Sequence, residues 1–195
     1  IFLYRLPKLR GSARQLMADT IARSGRQIRA AKGFLGPDLR LVVLPEYFLT
    51  GYPLGESVPD WADKAALAPG GAEYEAIGRI AQDNALHLSG NVYETDPAFP
   101  GLYFQASFVV DPAGSVVLRY RRLISMFAPT PHDVWDPYLG LYGLDGVFPV
   151  AQTAIGRLAA IASEEILYPE SARALALRGA EVFVHSTSEV GSPRL

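Results

Sequence analysis

The 195-residue sequence contains no cysteine, and this absence excludes several kinds of chemistry at once. Without thiols the chain has no disulfides, no cysteine-ligated zinc, no iron–sulfur cluster and no cysteine nucleophile. Only three histidines are present, and their spacing fits no metal-binding pattern. The sequence therefore predicts no metal centre and no cofactor.

A charge of one sign and long apolar runs are lacking as well. The 18 basic and 20 acidic residues leave a formal net charge of −2. The net charge therefore provides no electrostatic attraction for nucleic acid or anionic lipid. No apolar run approaches the ~20 residues that a membrane-spanning helix needs, and residues 1–10 lack the pattern of a signal peptide. We expect a soluble, cytoplasmic protein that binds neither nucleic acid nor membranes.

The composition that is present suits a packed core. Hydrophobic residues make up 49% of the chain and aromatic residues 11%, which is too apolar for a disordered protein. We expect one domain over residues 1–195. Because the sequence starts at Ile1 and stops at Leu195 soon after a strand-like run, we also expect it to be part of a longer fold.

Helical and strand-like patterns alternate along the chain, which favours a layered α/β domain. Amphipathic helices are predicted at residues 11–32, 71–84 and 169–178. Strands are predicted at residues 39–44, 87–93, 104–110, 116–120, 147–153, 158–162 and 182–184. Residues 111–114 predict a hairpin turn, and residues 129–146, rich in proline, glycine and aromatic residues, predict a long ordered loop.

Four polar residues stand at the ends of predicted strands, where functional groups collect in open α/β folds. They are Glu46, Glu94, Arg122 and Ser163. A carboxylate, a cation and a hydroxyl can supply a base, an oxyanion partner and a nucleophile. Charged residues at such positions also commonly only solvate the edge of a sheet, so position alone does not identify an active site.

Three segments resemble the motifs of the carbon–nitrogen hydrolase (nitrilase) superfamily, and they occur in the family's order. Residues 41–53 read LVVLPEYFLTGYP, residues 111–122 read DPAGSVVLRYRR, and residues 156–170 read GRLAAIASEEILYPE. The resemblance implies an α-β-β-α four-layer sandwich, incomplete here at the C-terminus. It also implies a site built on a Cys–Glu–Lys triad, which cleaves nitriles or amides.

Carried over position by position, the resemblance implies a changed triad. Glu46 stands at the place of the general base, Arg122 at that of the lysine, and Ser163 at that of the nucleophilic cysteine. A serine hydroxyl needs stronger base assistance than a thiol, and arginine differs from lysine in reach. Glu94 matches the family's second glutamate, and Glu165 matches its acidic position two residues after the nucleophile; both are expected to position substrate.

The resemblance implies hydrolysis of a non-peptide C–N bond by a homodimer or larger homo-oligomer. A small amide is favoured as the substrate, and the choice between an amide and a nitrile stays open. Three explanations of the departures stay open. The chain is a divergent hydrolase that uses Ser163, a catalytically silent protein that keeps the pocket for ligand binding or assembly, or a protein into which Ser163 was introduced.

Aromatic and histidine side chains near the predicted site have two readings. Trp135, Tyr138 and Tyr142 fit either the lining of a substrate pocket or packing of the predicted loop on the core. His185 follows the last predicted strand, and we interpret it as a structural histidine.

Overall fold

A computed structural model of the chain describes residues 10–53, 55–126 and 128–188. The prediction about a signal peptide concerns residues 1–10 and lies almost wholly outside the described residues, as does the chain end near Leu195. The helices are α1 (Arg10–Leu35), α2 (Val58–Ala65), α3 (Ala72–Asp83), α4 (Trp135–Val147) and α5 (Pro169–Leu177). Short 3₁₀ helices span Pro131–Val134 and Ser163–Leu167.

The strands form two sheets. They are β1 (Leu41–Val43), β2 (His87–Thr95), β3 (Tyr103–Val110), β4 (Val116–Arg121), β5 (Ala151–Thr153), β6 (Gly156–Ala162) and β7 (Val182–Ser186). The first sheet has the order β1-β2-β3-β4, with β1 parallel to β2 and antiparallel pairing beyond it. The second has the order β5-β6-β7, with β6 parallel to β7. Since β1, β2 and β4 run the same way, their C-terminal ends meet at one edge.

Three clusters of buried apolar side chains separate four layers. Helices α1, α2 and α3 cover the outer face of the first sheet, with Met17 and Trp61 at the centre of that cluster. The two sheets pack face to face through residues such as Phe104 and Leu158. Helix α5 covers the second sheet, where Leu175 packs near Ile161. This arrangement confirms the predicted α-β-β-α sandwich.

Residues 129–146 correct the sequence prediction, because they form helices rather than a long loop. Thr130 and Asp133 cap the first turn reciprocally, and Pro131 occupies the first helical position, where its missing N–H costs nothing. Helix α4 then runs through a kink at Gly143, whose φ of 59° lies in the left-handed region. The proline and glycine that predicted a loop therefore mark a helix start and a helix kink.

The aromatic residues of α4 pack on the core. Tyr138 is buried and stacks on Phe99, with its ring centroid 5.9 Å away, and meets Phe104 edge-on. None of Trp135, Tyr138 and Tyr142 lines the cavity that contains Ser163. The packing interpretation of these aromatics is the one that agrees with the structure.

Other predicted elements shift by a few residues. Strand β1 is shorter than predicted and only half-buried, because it forms the edge of its sheet.

Helix α2 is not predicted from the sequence, because eight residues are too few to show a clear helical period. It is capped by Ser57, whose side chain accepts a hydrogen bond from the Asp60 N–H. Within the described ranges, no helix has the length and apolar character to cross a bilayer.

Candidate active site

Three strand ends bring the predicted triad positions together. Glu46 lies just beyond β1, Arg122 follows β4 directly, and Ser163 follows β6 directly. All three are at least 95% buried. The Arg122 guanidinium links the group, since its Nη1 lies 3.6 Å from Glu46 Oε1 and its Nη2 forms an ion pair with Glu164, the neighbour of Ser163.

The Glu46 carboxylate is held on both oxygens. Oε1 accepts a hydrogen bond of 2.8 Å from Gln105 Nε2, and Oε2 accepts bonds of 3.0 and 2.7 Å from the backbone N–H and the hydroxyl of Ser188. No hydrogen bond joins Glu46 to Ser163, both of which lie in the described part of the chain. The Glu46 carboxylate is thus held in one orientation by its neighbours in the absence of a ligand.

Arg122 is fixed in orientation by neutral partners as well as by carboxylates. Its Nη1 donates to Gln105 Oε1 at 2.8 Å and to the Tyr47 hydroxyl at 3.3 Å, and its Nε donates to the Ile124 carbonyl. Burial opposes the charge, but the surroundings, Tyr47 and Glu164 foremost, raise the pKa of Arg122 above its ordinary value. The guanidinium therefore stays charged at every pH at which the protein is folded.

Ser163 occupies a strained turn. Its φ is 51°, in the left-handed region that a non-glycine residue rarely adopts, and it begins the 3₁₀ helix after β6. Tyr47, next to Glu46, has a similar φ of 49°. Strain of this kind collects at functional sites. The His185 ring holds the turn, with Nε2 2.8 Å from the Ser163 carbonyl oxygen, so this histidine contacts the backbone as a structural residue does.

Glu164 is the partly exposed acid next to Ser163. Partial burial opposes its ionisation, but a hydrogen bond from the Ser163 side chain, one from its own backbone and the charge of Arg122 lower the pKa of Glu164 below its ordinary value. Its side chain is 30% exposed, whereas that of Glu46 is fully buried. Glu164 therefore stays ionised at neutral pH and lies on the cavity wall.

A cavity of about 610 Å³ opens in front of Ser163, large enough for a small organic ligand. The described residues that line it are Tyr47, Tyr52, Pro53, Gly55, Glu56, Arg122, Ile124, Ser125, Met126, Ser163, Glu164 and Tyr168. Across residues 10–53, 55–126 and 128–188, no three histidine, aspartate or glutamate side chains are grouped to hold a metal ion.

Glu94 lies outside this cavity. Its carboxylate is fully buried and accepts hydrogen bonds from the Tyr74 hydroxyl at 2.7 Å, Arg119 Nε at 2.8 Å and Arg121 Nη2 at 3.2 Å. These donors use both carboxylate oxygens. Glu94 therefore holds two arginines of β4, and its role in positioning substrate stays a prediction.

Glu165 is likewise turned away from the cavity. Its carboxylate accepts hydrogen bonds from the backbone N–H groups of Leu123 and Ile124 at 2.7 and 3.0 Å, and from the Tyr120 hydroxyl at 2.9 Å. Burial outweighs these bonds and raises the pKa of Glu165. Glu165 thus ties the segment after Arg122 to the end of β6, and its role in positioning substrate stays a prediction.

Sequence reasoning missed two residues that complete the site, Gln105 and Ser188. Gln105 bridges Glu46, Arg122 and the Tyr47 hydroxyl, although it lies within an apolar strand. A glutamine in a strand whose residues are all buried is the signal that marks it, because such a side chain needs polar partners. Ser188 is far away in sequence, and only the fold shows that it contacts Glu46.

Known proteins match most of the length of this chain. A sequence model of the carbon-nitrogen hydrolase family matches residues 13–194. A formamidase of Allorhizobium ampelinum is 27% identical over 173 residues, which are 88% of this chain and 44% of the relative. The chain spans about half the length of the curated relatives it matches.

Solved structures share the fold. A carbon-nitrogen hydrolase from Helicobacter pylori G27 superposes with a TM-score of 0.62 at 21% identity, covering 88% of this chain and 55% of that one. An amidase from Nesterenkonia sp. superposes with a TM-score of 0.57 at 20% identity, covering 97% and 63%. At such identities the likeness establishes the architecture alone.

Proposed function

This chain belongs to the carbon-nitrogen hydrolase family, and from that premise we propose that it cleaves the C–N bond of a small amide at the Ser163 cavity. The observation that carries the proposal is that Arg122, which contacts the buried Glu46 carboxylate, lies on the wall of one cavity together with Ser163, whose backbone is strained. The names of the formamidase and amidase relatives support an amide over a nitrile. A cytoplasmic location stays a prediction from composition, and self-association stays a prediction from the family resemblance.

In the proposed reaction the amide carbonyl carbon is attacked by Ser163 Oγ, and the hydroxyl proton passes to Glu46. This transfer requires Glu46 to exchange its contact with Ser188 for one with the nucleophile. Arg122 stabilises the oxyanion of the tetrahedral intermediate. Glu46 then returns the proton to the nitrogen, the C–N bond breaks, and ammonia leaves an ester on Ser163.

Water completes the cycle. Glu46 accepts a proton from a water molecule, which attacks the ester carbonyl, and the carboxylic acid leaves as the proton returns to Ser163 Oγ. A carboxylate is a poor base for an alcohol, and triad members act as a unit. We therefore expect turnover slower by several powers of ten than a thiol nucleophile gives.

A catalytically silent ligand-binding protein is the second candidate, and one observation favours it. The Arg122 charge is already paired with Glu164, so less of it is available for an oxyanion. In this reading the same cavity binds an amide without cleaving it.

Ammonia release from formamide and acetamide tests the two candidates. We expect slow release and an acyl adduct detectable by intact mass, both abolished in Ser163→Ala and strongly reduced in Glu46→Gln. The matched controls are Ser115→Ala and Glu75→Gln, which make the same changes at exposed positions and are expected to keep the activity.

The opposite result is equally specific. If the unchanged protein releases no ammonia and forms no adduct, while a Ser163→Cys, Arg122→Lys double variant gains activity, the hydrolase proposal fails. The scaffold and base would then be competent, and the silent binding protein would be the correct description.

A further inference from the structure

The charges around the Ser163 cavity do not balance. Arg122 is flanked by two carboxylates, Glu46 at 3.6 Å and Glu164 in direct ion pair. The remaining charged residue of the wall, Glu56, is ion-paired with Lys64, whose side chain is 96% buried. Among the described residues the cavity therefore has one carboxylate more than it has cations.

The two carboxylates beside Arg122 differ in what a ligand can do to them. Glu46 has a fully buried carboxylate that contacts Gln105 and Ser188, and it does not line the cavity. Glu164 is partly exposed on the cavity wall. A ligand that seeks the Arg122 charge has to displace Glu164 to reach it.

This arrangement treats an amide and a carboxylate differently, although the two have almost the same shape. A carboxylate brings a negative charge toward Glu164 and Glu46 and must compete with Glu164 for the guanidinium. An amide is uncharged; its carbonyl can accept from Arg122, and its NH₂ group can donate to a carboxylate. The Glu164 charge thus opposes the acid without opposing the amide.

We propose that Glu164 is a specificity-determining residue that makes this cavity accept uncharged small amides and reject the corresponding carboxylates. The inference rests on the proposed function in that it concerns the same amide site. Glu164 thereby acts in ligand choice, apart from the proposed reaction of Ser163, Glu46 and Arg122. It also implies that a carboxylate formed at the site is expelled by the Glu164 charge.

Ligand-observed NMR titration of the full chain with acetamide and with sodium acetate at pH 7 tests the inference. We expect the unchanged protein to prefer acetamide by about 10-fold or more. Glu164→Gln is expected to strengthen acetate binding by about 10- to 100-fold, the range for removing one like charge at contact. Its acetamide affinity should change less than about 3-fold, since no charged ligand group is involved.

Glu170→Gln is the matched control, because it makes the same chemical change at an exposed glutamate in the first turn of α5. It should leave both affinities as they are. If Glu164→Gln does not fold, as judged by circular dichroism, Glu164→Ala removes the same charge and is held to the same expectation.

Each outcome decides the matter. Unchanged acetate affinity in the variant, equal affinities of the unchanged protein for both ligands, or binding of neither ligand overturns the inference. Preference for acetamide that is lost in Glu164→Gln, without any ammonia release, supports the inference and contradicts the proposed hydrolysis. Ammonia release together with unchanged acetate affinity in Glu164→Gln supports the proposed hydrolysis and contradicts the inference about Glu164.

Discussion

A carboxylate beside a catalytic position can serve the backbone instead of the ligand, and Glu165 shows how. Two backbone N–H groups, those of Leu123 and Ile124, point at one of its oxygens, and the Ala162 N–H lies 3.2 Å from the other. These donors belong to the segment after β4 and to the end of β6. Glu165 therefore joins the two sheets at the place where Arg122 and Ser163 meet.

Replacing Glu165 by glutamine should destabilise the protein without touching the cavity wall. The amide offers one acceptor oxygen, and its NH₂ group faces N–H donors that lose their partner. We expect the free energy of unfolding to fall by about 1–3 kcal/mol, the cost of leaving buried donors unsatisfied. Urea denaturation at pH 7 measures this loss.

Glu170→Gln is the reference for that measurement and should stay within about 0.5 kcal/mol of the unchanged protein, since Glu170 is exposed. Equal stability of the two variants would show that Glu165 does not tie the sheets together as its contacts indicate.

At the scale of elements, α3 lies close to the turn joining β3 to β4. A Cβ atom on Gly78 would lie 2.5 Å from the Gly114 carbonyl oxygen, which is backbone and cannot swing aside. Gly114 itself has a φ of 86° and is required by the turn. The helix can lie this close to the hairpin only because both positions are glycine.

Gly78→Ala should therefore push α3 away from the hairpin and lower the free energy of unfolding by about 1–3 kcal/mol, the usual cost of overpacking. Gly33→Ala in α1 is the control, because no atom lies within 4 Å of its new Cβ. That change should stabilise the protein by about 0.5–1 kcal/mol through helix propensity and a less flexible unfolded chain. Thermal unfolding of both variants measures the difference, and a stabilising Gly78→Ala would contradict the packing described.

The spacing of apolar residues in the sequence predicts most of these helices and strands, but it does not predict which segments pack against them. The apolar spacing of α1 and α3 predicts both helices, because each buries one face against a sheet. The sequence does not predict helix α4, since its aromatic residues, three glycines and Pro137 match no helical stripe. A local hydrophobic pattern indicates which face of a segment is buried. It does not indicate which distant segment packs against that face or caps the helix.

The candidate site divides in the same way. Strand ends and family motifs located Glu46, Arg122 and Ser163, because each lies within three residues of the end of a strand. The donors that hold Glu46 come from Gln105 and Ser188, which are 59 and 142 residues away along the chain. Such contacts depend on how the two sheets pack, so no local pattern contains them.

On the scale of the whole molecule, ion pairs connect layers that apolar packing also holds. Asp96, just after β2, pairs with Arg121 at the end of β4 and accepts a hydrogen bond of 2.5 Å from the Tyr142 hydroxyl on α4. The Arg122–Glu164 pair similarly joins the end of the first sheet to the turn after β6. Acid should loosen both links, since each depends on an ionised carboxyl.

The pKa of Asp96 determines whether its contribution to stability rises or falls with pH. Burial opposes ionisation, but the hydrogen bonds from Tyr142 and the Ala98 N–H and the charge of Arg121 lower the pKa of Asp96 below its ordinary value of 3.8. Between the lowered value and 3.8 the unfolded chain binds more protons than the folded one. The stabilisation is therefore complete above pH 3.8 and is lost as the pH falls through the folded-state pKa.

Asp96→Asn tests this at the level of the whole fold. At pH 7 we expect it to lower the free energy of unfolding by about 2–3 kcal/mol, because Arg121 keeps its buried charge and loses a charged partner. The difference from the unchanged protein should shrink steadily below pH 3.8, since acid removes the same charge from Asp96 that the substitution removes. Urea denaturation at pH 7, 5, 4 and 3 measures it, with exposed Asp38→Asn as the control that keeps the unchanged pH profile. A difference that stays constant down to pH 3 would show that the Asp96 charge does not hold α4 to the first sheet.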